Sequence, residues 1–209
     1  MPPGFGIEHE SVQYRITYDP DDTRWVQRLH YQKSLDDRFL YRLIGQTRET
    51  GTTEVKVDFA QAELWWRITP RGGLWESGLR FDARLRPDGR PEQLGANWGN
   101  QWSLGNGWRA RLSGFSRLQV GRGSGNAVAM DVRAQLSRRL PDRWSVGAEL
   151  YVPLGNTDDM RFFKGRGVLL GPFVSIPAGK KRSVRLQPLL GLTQDSRDVQ
   201  LRLWVTQGF

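Results

Sequence analysis

Apolar and polar residues alternate along the segment from Val199 to Phe209, and this period of two limits the possible folds more strictly than any other feature. Successive side chains of an extended strand point to opposite sides, so such a segment has two distinct faces. The apolar face, which only Gln207 interrupts, carries Val199, Leu201, Leu203, Val205 and Phe209, and the other face carries Gln200, Arg202, Trp204 and Thr206. The pattern predicts a two-faced β-strand.

The same alternation recurs in segments that begin near residues 12, 75, 128, 146 and 184. Turn signals separate the segments, and every second turn is centred near Asp36, Arg71, Asn106, Asp142 or Gly179. This spacing of about 35 residues fits successive hairpins in an up-and-down meander. No segment shows a helical period. We therefore expect an all-β chain of about twelve antiparallel strands that closes into a barrel.

The composition alone would suggest a soluble protein, because 25% of the 209 residues are charged and the mean hydropathy is −0.57. A membrane-spanning helix needs ~20 consecutive apolar residues, which no segment provides. A strand barrel escapes both objections, since only alternate residues of each strand face lipid. The apolar stripes run for about five alternate positions, close to the ~9–11 residues of a spanning strand.

Aromatic residues cluster beside one set of turns. Tyr and Trp favour membrane interfaces because the ring is apolar while its polar group can stay hydrated. The cluster comprises Tyr31, Phe39, Trp66, Trp75, Trp102, Trp108, Trp144 and Phe209. We interpret it as a periplasmic girdle, with a thinner outer girdle around Tyr18 and Trp25.

The terminal segment Val199–Phe209 resembles the last strand of bacterial outer-membrane β-barrels, which commonly ends in an aromatic residue. The resemblance implies a Gram-negative outer membrane, contact with lipid and lipopolysaccharide, and recognition of the strand ending in Phe209 by the barrel assembly machinery. We expect residues 1–10 to form a short periplasmic tail and residues 11–209 a single transmembrane barrel domain. The strand number would be ten if the second and sixth segments do not span.

One segment changes its parity. Val55, Val57 and Phe59 occupy one parity, whereas Ala60 and the apolar residues after it occupy the other. A single extra residue would restore the face, so we predict a β-bulge near Phe59-Ala60.

The predicted inner face is rich in arginine. Its basic residues are Arg15, Arg42, Arg48, Lys56, Arg67, Arg80, Arg84, Arg109, Arg111, Arg117, Arg133, Arg185 and Arg202. Its acidic residues are Asp58, Glu63, Glu76, Asp82, Asp131 and Glu149. Isolated buried charges are strongly disfavoured, so the basic surplus implies water or a bound anion.

A narrow passage lined by guanidinium groups favours anions, so the pattern predicts a channel for small anionic solutes. The chain length, strand number and basic interior are similar to those of small monomeric porins for acidic oligosaccharides. This resemblance is one of layout, and it implies a monomer.

Two other readings stay open. The charges could form a closed network that plugs a structural or adhesion barrel without transport. Alternatively, the chain could be a soluble β-rich module that binds an anionic polymer through its arginines with Trp65, Trp98 and Trp204. A membrane barrel would need detergent and migrate as a heat-modifiable band on a gel.

Nothing in the sequence predicts an enzyme, a cofactor or a metal site. The chain has no Cys, and His9 and His30 are its only histidines. Asp158 and Asp159, in the long loop from Gly155 to Gly167, fall short of a calcium ligand set. The Gly-rich stretch 121–126 lacks the Lys-Ser/Thr ending of a phosphate-binding loop. With its arginines predicted inside, the chain is not expected to bind nucleic acid.

Overall fold

The computed structural model describes residues 10–51, 54–160 and 167–209, and within these ranges the chain forms thirteen strands. The only helical element in the same ranges is the 3-10 turn Pro141–Arg143. The strands are β1 Ser11–Asp19, β2 Arg24–Ser34, β3 Phe39–Thr50, β4 Lys56–Arg67, β5 Trp75–Leu85, β6 Glu92–Gly105, β7 Trp108–Val120, β8 Val128–Arg139, β9 Ser145–Asn156, β10 Asp159–Met160, β11 Leu169–Pro177, β12 Arg182–Gly191 and β13 Val199–Gly208.

Twelve of these strands close into an antiparallel barrel. Each pairs with its neighbours along the chain, and β13 pairs with β1 from Ser11↔Gly208 to Tyr18↔Leu201. The short β10 pairs only with the end of β9, inside the segment expected to be a loop. Both segments of doubtful span, β2 and β6, are full strands. The predicted twelve-stranded up-and-down barrel is therefore confirmed.

The barrel has two distinct ends. The connections 35–38, 68–74, 106–107, 140–144 and 178–181 lie at one end, together with the start of β1 and the end of β13. We call it the terminus end. The connections 20–23, 86–91, 121–127 and 192–198 lie at the other end, together with the described parts of the connections that follow β3 and β9. We call it the loop end. Of the expected tail, only Glu10 belongs to the described residues.

The apolar face of the strands points outward. Phe81 is 47% exposed and Leu201 is 51% exposed, whereas the Arg80 side chain is only 12% exposed. A soluble protein would bury the first two residues and expose the third. The inside-out arrangement is that of a barrel surrounded by hydrocarbon. No helix in the described ranges is long and apolar enough to cross a membrane.

The predicted bulge is present in β4. Gln46 of β3 pairs with Phe59, and the next residue, Thr47, pairs with Val57, so Asp58 is the extra residue. The bulge lets Val57 and Ala60 share the outer face. Phe59, whose parity had grouped it with Val57, instead lies inside the barrel and is only 3% exposed.

The aromatic cluster lies on the outer face at the terminus end. Trp66, Trp75, Trp108 and Trp144 are 39%, 48%, 39% and 40% exposed. At the loop end, the rings of Tyr18 and Trp25 stack with centroids 4.4 Å apart. Tryptophan and tyrosine side chains therefore lie at both ends of the outer surface of the barrel.

Candidate solute pathway inside the barrel

Polar side chains line the interior of the barrel. The outer face of the strands contacts lipid and is mostly apolar, so the polar residues lie mainly on the inner face. The buried charged residues include Arg42, Glu63, Glu76, Asp82 and Glu149. The buried amide residues of the inner face are Gln32, Gln46, Gln61, Asn97, Gln101, Gln135, Gln187 and Gln200. Most of these residues alternate with outward apolar ones, as the period of two requires.

Glu63 on β4 is the centre of one ion-pair network. Its carboxylate lies 3.6 Å from Arg42 Nη1 and 3.0 Å from Arg80 Nη1. Arg80 also lies 2.9 Å from Asp82. Trp65 and Gln61 each donate a hydrogen bond to Glu63. Two of the predicted basic residues are thus neutralised by predicted acidic partners.

Glu149 on β9 is the centre of a second network. It accepts hydrogen bonds from Arg185 Nη2 at 2.6 Å and Gln187 Nε2 at 3.0 Å, and the Tyr151 hydroxyl also donates to it. Arg117 and Asp131 form a separate ion pair at 2.5 Å. Glu76 accepts a hydrogen bond from Gln101 Nε2 at 3.0 Å.

Several inner-face arginines, Arg84, Arg109 and Arg111 among them, have no carboxylate partner among the described residues. Four more that lack one lie on β1, β2, β8 and β13: Arg15, Arg28, Arg133 and Arg202. We call them the central arginine group. Arg28 donates from Nε to Gln46 Oε1 at 2.6 Å, and Arg202 donates to the Tyr151 hydroxyl at 3.1 Å. The Arg15 guanidinium lies 5.0 Å from the centroid of the Trp204 ring. The contacts of these arginines are thus to uncharged groups, and no carboxylate among the described residues neutralises them.

Several guanidinium groups inside the barrel lie over aromatic rings. Arg133 lies 4.4 Å from the ring centroid of Phe115 and 5.3 Å from that of Tyr151. Arg84 lies 4.1 Å from the Phe59 ring. Such cation–π contacts favour a guanidinium without neutralising it. Phe59 and Phe115 are only 3% and 5% exposed, so their rings lie inside the barrel and reduce its open cross-section.

His30 is the one histidine among the described residues. His30 is 3% exposed on the inner face, with its ring 5.5 Å from that of Trp204. His9 lies outside the described residues, as do residues 161–166 of the long loop. Within the described part of the chain, no group of three or more His, Asp or Glu side chains could hold a metal ion.

Described residues line two cavities that open on the interior. The terminus-end cavity has a volume of about 460 Å³ and is lined by Arg109, Arg111 and Arg185 among others. The loop-end cavity has a volume of about 360 Å³, and its lining includes Gln93, Arg117 and Asn156.

An ion cluster joins the first and last connections of the loop end. Asp19, which is 1% exposed, lies 3.0 Å from Arg24 and 2.5 Å from Arg197. Arg197 also pairs with Asp22. Burial on its own would lower the pKa of Arg197, but the hydrogen bond to Asp22 and the two carboxylate charges raise it. We call Asp19, Asp22, Arg24 and Arg197 the rim cluster.

The remaining predicted site residues lie near the two ends. Arg67 donates to the Asp37 carbonyl at 3.0 Å at the terminus end, and Arg48 lies 3.7 Å from Asp58 near the loop end. Lys56 is exposed. The role of all these side chains in anion binding stays a prediction.

Sequence reasoning missed several inner residues. Arg28 was missed because β2 places apolar Val26 inside and polar Gln27 outside, which breaks the alternation. Arg139 and Arg143, which line the terminus-end cavity, were missed because they lie at a strand end and in a turn. The alternation within β8 could have revealed Arg139, since it shares the parity of Arg133.

The chain matches no protein-family model and no curated protein sequence. Its fold is similar to that of solved porin structures. A structure described as "KdgM porin" matches with a TM-score of 0.71 and 10% identity over 95% of this chain and 99% of that chain. The "KdgM porin in complex with disordered oligogalacturonate" matches with 0.70 and 11% over the same shares. A NanC porin structure matches with 0.72 and 8% over 95% of this chain and 98% of that one.

These likenesses show the fold. The barrel has the architecture of the small outer-membrane porins, and the resemblance to outer-membrane β-barrels that the terminal strand indicated is confirmed. The pattern of two-faced strands thus predicted the fold correctly.

Proposed function

We propose that this chain is an outer-membrane porin whose interior passes small anionic solutes. The observation that carries the proposal is the central arginine group, which has no carboxylate partner among the described residues. Guanidinium groups that line a narrow passage attract anions and repel cations. A plug needs no such surplus, because a closed network is most stable when its charges are paired.

The similarity to porin structures supports the same proposal. One of the similar porins is described as a complex with oligogalacturonate, which is an acidic oligosaccharide. Guanidinium forks can bind carboxylates with two parallel hydrogen bonds. We therefore place acidic sugars among the solutes to be tested first.

A plugged barrel without transport is the second candidate, and the interior rings favour it. Phe115 and Phe59 are buried beneath Arg133 and Arg84, so side chains fill part of the cross-section between the two cavities. A channel requires these stacked pairs to leave a hydrated path beside them. A plug requires them to close it.

Conductance in a planar bilayer separates the two candidates. The purified protein in a planar bilayer is expected to give discrete conductance steps, and short oligogalacturonates are expected to reduce the current. A folded protein that inserts but gives no steps would leave the plugged barrel as the better account. Heat-modifiable migration on a gel is the check that the inserted protein is folded.

We further propose that the barrel lies in the outer membrane of a Gram-negative bacterium as a monomer. The terminus end would face the periplasm and the loop end would face outward, where it meets lipopolysaccharide, because barrels of this kind keep their shorter turns in the periplasm. The strand β13 would carry the signal for the assembly machinery. Chemical crosslinking in native membranes would detect a stable oligomer, which would contradict the monomer.

We propose no enzymatic activity. Enzymes built on membrane barrels need a catalytic group that a lipid or protein substrate can reach. His30 lies inside the barrel against Trp204, away from the outer surface. Lipid hydrolysis by the purified protein that is lost in His30→Ala would overturn this proposal.

A further inference from the structure

The terminus-end cavity concentrates positive charge. Five arginines line it: Arg109, Arg111, Arg139, Arg143 and Arg185. No acidic side chain belongs to the lining within the described residues. Hydroxyl groups that can donate hydrogen bonds complete the wall, from Ser103, Ser137, Ser145 and Ser175. The cavity thus presents hydrogen-bond donors and positive charges, with no carboxylate in its described lining.

Two of these arginines are held by backbone geometry. Arg143 has a φ of 64°, in the left-handed region that is costly for a side-chain-bearing residue. Its guanidinium donates to the carbonyl oxygens of Gly179 and Lys180, each at 3.1 Å. These bonds fasten the turn after β8 to the turn after β11, so Arg143 is fixed at the mouth of the cavity.

Arg139 is held by the turn between β6 and β7. Its backbone N–H donates to the Gly107 carbonyl at 2.9 Å. Gly107 has a φ of 79°, and a Cβ there would lie 2.6 Å from the Arg139 carbonyl oxygen. Only glycine therefore allows this approach, which fixes the backbone of Arg139 beside the cavity.

Most of the charge in the cavity is uncompensated. Arg185 is paired with Glu149 at 2.6 Å, and Arg111 donates to Gln101 at 2.7 Å. Arg109 and Arg139 have no ion-pair partner in the described part of the chain. The loop-end cavity is the opposite case, because Arg117, the sole arginine of its described lining, is paired with Asp131 at 2.5 Å.

We propose that the terminus-end cavity is a binding site for a compact anion that carries two or more negative charges. Several guanidinium groups around one cavity can each engage a different oxygen of such an anion. A monovalent anion leaves most of the positive charge without a partner. The inference deepens the proposed function, since it gives the anion pathway a strong site at one end only.

Isothermal titration of the detergent-solubilised protein with inorganic pyrophosphate tests the site. Arg139→Gln is expected to weaken pyrophosphate binding about tenfold, because it removes one charge-assisted contact. Arg138→Gln is the matched control: it removes the same charge from the adjacent residue, whose guanidinium lies over the outer-surface Trp108 ring. The control should leave the affinity unchanged, and acetate should bind much more weakly than pyrophosphate.

Equal effects of Arg138→Gln and Arg139→Gln would overturn the site, since a general loss of charge would then explain both. Pyrophosphate binding of wild-type affinity in an Arg109→Gln/Arg139→Gln variant, or no binding to the wild-type protein, would also overturn it. Heat-modifiable migration shows whether each variant is folded, and Arg139→Lys should recover part of the affinity if Gln is poorly tolerated.

The test is separable from that of the proposed function. A protein that binds pyrophosphate in detergent but gives no conductance would retain the site and lose the channel. A protein that conducts anions but does not bind pyrophosphate would retain the channel and lose the site.

Discussion

Arg202 donates a hydrogen bond to the Tyr151 hydroxyl over 3.1 Å, although β11 and β12 separate the strands that carry the two residues. The Tyr151 ring also lies 5.3 Å from the Arg133 guanidinium. A neutral tyrosine therefore links two arginines of the central group across the interior. Because a phenol hydroxyl carries no charge, it does not neutralise either guanidinium group.

Gly147 on β9 should be intolerant of any side chain. A Cβ there would lie 2.3 Å from the Leu136 carbonyl oxygen and 2.7 Å from the Phe173 ring, which supports Arg185. We expect Gly147→Ala to destabilise the barrel by roughly 1–3 kcal/mol, the usual cost of overpacking. Gly114→Ala is the control, since nothing lies within 4 Å of a Cβ at that position. Urea unfolding in detergent measures both, and similar midpoints for the two variants would contradict the packing described for Gly147.

The rim cluster should stabilise the seam where β1 meets β13. The Asp19 carboxylate forms ion pairs with Arg24 and Arg197 and accepts a hydrogen bond from Gln200 of β13. These contacts join the first connection of the loop end to the last. Asp19→Asn keeps the shape but removes the charge that pairs with both arginines. We expect a loss of about 1–3 kcal/mol, the range for a hydrogen bond to a charged group.

Asp88→Asn is the matched control for Asp19→Asn, because Asp88 is exposed in another connection of the loop end. Thermal unfolding followed by gel migration compares the two variants. If Asp88→Asn lowered the unfolding temperature as much as Asp19→Asn, the rim cluster would have no special role in closing the barrel.

The outer face should reject a charge near its middle. Phe81 is 47% exposed on β5 and pairs with Leu64 and Ala96, which also lie on the outer face. We expect Phe81→Arg to cost about 2–4 kcal/mol in a bilayer, as for cations near the midplane of other barrels. Leu74→Arg, at an 80% exposed position in a terminus-end turn, should have little effect. Folding into liposomes measures the difference, and equal folding yields would argue against a lipid-facing Phe81.

The barrel was predictable because its outer face obeys a local rule. Most residues that face hydrocarbon are apolar, so strands such as β13 show the period of two directly in the sequence. The same rule located the bulge of β4, since the parity of Val57 differs from that of Ala60. No such rule applies to the inner face, which holds both arginines and aromatic side chains.

Contacts between distant strands could not be predicted in the same way. The stacking of Arg133 on Phe115 and Tyr151 depends on the register of three strands. The rim cluster joins Asp22 to Arg197 only because the barrel closes. The sequence therefore predicted many arginines of the interior, but it did not predict which of them lack a carboxylate partner.

The central arginine group should set the ion selectivity of the channel. Arg15→Gln/Arg202→Gln removes two of its charges while the ion pairs of Glu63 and Glu149 remain. We expect the reversal potential in a salt gradient to move toward zero, because fewer fixed charges attract the anion. Arg138→Gln on the outer face is the control and should keep the wild-type value. A double variant with unchanged selectivity would show that other residues select the ion.

The reversal potential of the wild-type protein in a planar bilayer tests the central claim most directly. With an about tenfold gradient of potassium chloride, fixed positive charges in the interior should draw the reversal potential toward the chloride equilibrium potential. A value displaced toward the potassium equilibrium potential, or a folded barrel that carries no current at all, would contradict an anion pathway through this barrel.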